Sequence, residues 1–203
     1  MSAFLGPIHH KMYQKICAQS RLAFAIAKFG DTNGWTQDAE QTLHHQFPLL
    51  QGALEDLIDP LNIHGWLSQQ VAHAEARLAA AVQEAVKQDE QKAEQLLAFV
   101  AEDGRNQAAL HSAPCSDCTA LWQAMDLFWV DGMPCDRCVQ VASREDGSID
   151  WSIESATHTN GWSDDCAISY AQLRWTWVEA FAQRQGFKAQ QNNPLSFYLS
   201  QEV

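Results

Sequence analysis

The sequence predicts a mainly α-helical protein: a helical bundle with a small β-hairpin and a cysteine-rich metal knuckle ahead of its last helix. Three observations point there. Apolar residues recur at helical spacing over most of the chain, beginning with Ile8, Met12, Ile16, Leu22, Ile26 and Phe29. One short run, VQVASREDGSIDWSIES, alternates instead and turns at Asp146-Gly147, as a hairpin does. Two C-x-x-C pairs bracket an apolar stretch that holds two tryptophans, CSDCTALWQAMDLFWVDGMPCDRC.

The first helix is expected over 8–29, with Pro7 at its start, where a missing N–H costs least, and Gly30 as its C-terminal cap. Thr36 is the expected cap of a second helix over 37–57, divided or kinked by Pro48. Ala, Gln, Glu and Leu dominate 61–102, which reads as one long helix with a possible break in the polar stretch KQDEQKAEQ; 105–112 extends it. A short amphipathic helix is expected at 119–130, the hairpin at 139–155, and a final helix at 164–186 that stops at Gly186. The tail, KAQQNNPLSFYLSQEV, reads as a short docking segment. The whole is one domain, 1–203, in three parts: a bundle (1–112), a cysteine-rich segment with the hairpin (113–160), and a C-terminal helix and tail (161–203).

Charge narrows the function. The 25 acidic residues outnumber the 13 basic ones, giving a formal charge of −12, and no Lys/Arg cluster offsets it. Such a chain repels phosphate backbones and anionic membrane surfaces, so neither nucleic acid nor membrane is an expected partner. The opening MSAFLGPIHHKMYQ lacks the basic-then-apolar pattern of a signal peptide, and no apolar run reaches membrane-spanning length. Together with six cysteines, this leads to the expectation of a cytoplasmic protein whose thiols are free or ligate metal. Eight tryptophans serve as core anchors or as the wall of a pocket for a flat ligand.

The cysteines follow C-x2-C-x16-C-x2-C. A two-residue gap lets one turn aim two sulfurs at one ion, and two such pairs complete a tetrahedron. Cys115, Cys118, Cys135 and Cys138 are therefore expected zinc ligands, with Arg137 and Arg144 offsetting the negative charge of four thiolates. An iron–sulfur cluster, another transition metal or a redox dithiol suits the same residues. A four-thiolate zinc site is closed and structural, so it names no reaction.

The histidines supply the candidate pocket. His9 and His10 open the first helix, His64 the long one, and His158 sits in the loop THTNGW after the hairpin. Inward-facing His and Glu are how bundles build sites, but E-x-x-H, H-x-x-x-H and H-E-x-x-H are all missing. Cys166, expected in the first turn of the last helix behind Asp164 and Asp165, pairs in principle with His158 as a nucleophile. Two readings follow. One is a soluble zinc protein that binds a small molecule or a protein partner. The other is a metal- or thiol-dependent enzyme acting on a small molecule in a His-lined pocket.

Three stretches, FLGPIHHKMYQKI, NIHGWL and DGMPCDR, resemble a group of small uncharacterised bacterial proteins. The resemblance brings no activity with it. It draws attention to His9, His64 and Cys135, and it implies that Cys138 is the less regular of the second pair. In architecture alone the chain is similar to hemerythrin-like and DinB-like bundles, whose ligand spacings it lacks.

Overall fold

The computed structural model describes residues 5–111, 114–154 and 161–201. Helix α1 runs Pro7–Thr32, α2 Ala39–Gln46, α3 Leu54–Leu57, α4 Ile63–Val86, α5 Glu90–Ala109, α6 Cys118–Met125 and α7 Tyr170–Arg184. The strands are β1 Val139–Ser143, β2 Ile149–Ile153, β3 Phe187–Asn193 and β4 Ser196–Gln201. The mainly helical expectation holds, and several elements differ from it in detail.

Gly30 does not cap α1. It is buried inside the helix, where a Cβ would come within 2.8 Å of Thr36 Oγ1, and Asn33 ends the helix instead. Nor does Thr36 cap α2: the Asp31 carboxylate does, accepting from the Ala39 and Glu40 N–H groups at 2.9 and 3.0 Å and from the Thr36 hydroxyl. The long helix breaks inside KQDEQ. Lys87 takes a positive φ of 49°, and the Asp89 carboxylate then accepts from Lys92 N–H to start α5.

The larger departure is the sheet. The tail docks as a second hairpin, so the sheet has four antiparallel strands in the order β1-β2-β4-β3. Its alternation was hidden because KAQQNN is polar on both faces. Only β4, SFYLSQ, carries a clear inward set, Phe197 and Leu199. In register, Val141, Trp151 and Phe197 share one face, as do Ile149 and Leu199. That face packs on α6 and α7 in a main core that also takes in Leu78, Leu96, Trp129, Trp177 and Phe181.

A second, smaller core lies at the other end of the bundle. Met12 and Ile16 of α1, Leu54 of α3 and Leu67 and Val71 of α4 meet Val130 and Met133 there. The stretch DGMPCDR runs from this small core to the start of β1, beside the N-terminal half of α1.

Candidate functional site

The expected cysteine knuckle is not formed in this structure. Ser116 C=O accepts from Gln201 at the end of β4, and Cys118 lies close enough to Asp146, in the β1–β2 turn, for that carboxylate to act on its thiol. Cys138 sits at the opposite end of β1, where its carbonyl accepts from Glu154 N–H beyond the end of β2. The length of β1 separates these two positions by on the order of 12 Å. Sulfurs on one zinc lie about 4 Å apart. Burial, with Asp117 adding to it, raises the pKa of both Cys115 and Cys118. Cys118 is core, at 2% exposure, whereas Cys135 is exposed. Among the described residues no three His, Cys, Asp or Glu side chains converge as a metal site.

The histidines have local partners. His9 Nδ1 accepts from Gly6 N–H at 2.8 Å, capping α1, and its ring meets the edge of His64 at 5.8 Å. His10 faces Glu55 of α3 at 3.5 Å, and both are exposed. None of the three lines a cavity described here. His158 lies outside the described residues. Cys166 is not in a helical first turn, because α7 starts only at Ser169, whose hydroxyl accepts from Gln172 N–H.

What the structure does build lies around DGMPCDR. Asp131 is buried and paired through both carboxylate oxygens with Arg174, itself 4% exposed, which also donates to the Tyr170 hydroxyl. Burial lowers the Arg174 pKa, and the Asp131 charge more than restores it, so the guanidinium stays charged. Upstream, Val130 N–H donates to Gln19 Oε1 at 2.9 Å. Downstream, the Asp136 carboxylate accepts from Met133 N–H and closes the short 3-10 turn Pro134–Asp136. Arg137 follows with φ 54°, a left-handed conformation uncommon outside glycine. The loop is thus pinned at Asp131 and turned sharply at Arg137.

Beneath the loop is a cleft of about 190 Å³. Its walls are Ile8 and Met12 of α1, Trp122 of α6, Met133, and Val139 and Val141 of β1. The edge strand overhangs α6, which leaves Val141, an inward-facing residue, 43% exposed over the cleft. Charged groups gather on the other side: Lys11, Lys15, Asp126, Asp131 and Arg137, with Cys138 beside them. Asp126 pairs with Lys11 at 2.6 Å and Lys15 at 2.8 Å. Lys15 is 6% exposed, unusual for a lysine.

Directly behind, a space of about 10 Å³ shares Trp122, Asp126, Asp131 and Val139 with the cleft and adds Trp129 and Arg174. Two buried donors that line it, Trp129 Nε1 and Arg174 Nε, meet no acceptor among the described residues. A larger hollow between α1, α2 and α4, about 400 Å³, is lined by glutamines, alanines and Glu84 and gathers no comparable set of charges.

Sequence reasoning missed Lys11, Lys15 and Asp126, and placed Arg137 only as a counter-charge to the cysteines. The available signal was Lys15 itself, which falls between Met12, Ile16 and Gln19 on the buried stripe of α1, where a lysine needs a partner. No known protein family, curated protein or solved structure matches the chain.

Proposed function

We propose that the chain binds a small molecule in the cleft beneath DGMPCDR. The observation that carries this is Lys15, a lysine buried against Asp126 on the floor of an otherwise largely apolar cleft. Taking an ammonium out of water costs several kcal/mol unless it is paired. An apolar wall with a few convergent polar groups is the usual form of a small-ligand site. Trp122 and Met133 offer a flat ring and a pliable side chain for the ligand's body. Six free thiols suit a reducing, cytoplasmic setting, and no helix among the described residues is long and apolar enough to cross a membrane.

Cys138 provides the test, because it lines the cleft while Cys17 and Cys166 lie elsewhere. In a screen of small aromatic fragments, a bound fragment is expected to slow alkylation of Cys138 by iodoacetamide, read by mass spectrometry, and to leave Cys17 and Cys166 unchanged. Protection that never falls on Cys138 contradicts the proposal.

A second reading keeps zinc on Cys115, Cys118, Cys135 and Cys138. The spacing favours it. It requires the two pairs to leave opposite ends of β1 and Cys118 to leave the core. One equivalent of zinc in purified protein, lost in Cys135→Ser, supports it; metal-free protein with titrating thiols counts against it.

A further inference from the structure

We infer that the ligand of this cleft is a small organic oxyanion, a carboxylate or phosphate carried on an apolar body. The inference rests on the cleft being a binding site and adds the chemical class of what enters it. Two independent observations carry it. The first is charge. Lys11, Lys15 and Arg137 bring three positive charges to the cleft; Asp126 cancels one, and Asp131 is already matched by Arg174, so two remain. No carboxylate pairs with Arg137 among the described residues. This local excess stands out in a chain of net charge −12. Low-dielectric walls strengthen its pull on an anion.

The second observation is hydrogen-bonding capacity. At the small space behind the cleft, Trp129 Nε1 and Arg174 Nε, on residues 2% and 4% exposed, are donors that meet no acceptor among the described residues. Buried donors are normally satisfied, and an oxyanion brings several acceptor lone pairs and no donor. A neutral ligand with its own N–H groups answers neither observation. The size also sets a bound: at about 190 Å³ the cleft is smaller than a typical drug-sized pocket, which suits a single ring or short chain bearing one acid group. Arg137 can meet that group with two parallel N–H bonds, while Ile8, Met12, Trp122 and Val141 hold the apolar body.

The test is isothermal titration of the full chain with phenylacetate, phenyl phosphate and phenylacetamide, the last matching phenylacetate in shape but not in charge. Either oxyanion is expected to bind about tenfold or more tightly than phenylacetamide, and the tighter of the two identifies the acid group. Arg137→Gln, an exposed change, is expected to weaken oxyanion binding about tenfold and leave phenylacetamide unaffected. Asp126→Asn removes the competing carboxylate and is expected to move affinity the other way, tightening it. Should Asp126→Asn fail to fold, Arg137→Gln still decides. Equal binding of phenylacetamide and phenylacetate, lost in Trp122→Ala, overturns the oxyanion and keeps the cleft as a site. Binding of none of the three at millimolar concentration overturns both.

Discussion

Asp131 and Arg174 show how a single pair organises the site. They fix the start of the DGMPCDR loop from inside the core, and the cost of burying both charges is met only while both are present. Asp131→Asn leaves the Arg174 guanidinium without its counter-charge, and the expected loss is about 3–5 kcal/mol in a urea unfolding curve. A change under about 1 kcal/mol contradicts the assignment. Glu75 of α4 lies near the same pair and Tyr170. Burial first, and the Asp131 charge second, push its carboxyl from 4.5 up to about 7. Between those values the folded chain holds a proton that the unfolded chain has released, so this residue's contribution to stability falls as pH rises through the window. Glu75→Gln is expected to match wild type in urea midpoint at pH 4.5 and to exceed it at pH 8. A wild-type minus variant difference that does not change with pH removes Glu75 from this role.

At the scale of elements, the helical framework was legible and its ends less so. Periodic apolar residues locate α1, α4, α5 and α7, but caps depend on which side chain reaches back, and Asp31 reaches across eight residues to Ala39. The second hairpin escaped because its first strand is polar on both faces and is recognisable only once β4 pairs it. The cysteine spacing is a local pattern and does not say where the fold puts its halves; among the described residues they do not gather as a metal group. The cleft was equally hidden: its charges come from α1, α6 and the loop, and only Lys15 on a buried stripe announced them. Helix packing is sharp enough to test by one methyl group. A Cβ at Gly104 in α5 would lie 2.6 Å from the Trp177 carbonyl oxygen of α7. Gly104→Ala is therefore expected to cost about 1–3 kcal/mol by overpacking, against the gain of about 1 kcal/mol that alanine brings to an open helix. A stabilised variant means that α5 and α7 do not approach this closely.

For the whole molecule, two cores of unequal size meet under one pinned loop, and the overhanging edge of β1 roofs the space between them. The main core ties the sheet to α5–α7 and the smaller one ties the N-terminal end of α1 to α3 and α4, so the cleft forms where their surfaces do not close. A strongly acidic chain thus presents a basic hollow because Lys11 and Lys15 both turn toward Asp126 there and Arg137 adds a third positive charge from the loop. Heteronuclear NMR of the full chain titrated with phenylacetate tests this most directly, with Trp122→Phe assigning one indole among eight tryptophans. The expected result is that the Trp122 indole N–H and the backbone amides of the loop leading into β1 shift together and saturate. Shifts confined to the hollow between α1, α2 and α4 or to the His9–His64 pair, or no shifts at millimolar phenylacetate, would contradict it.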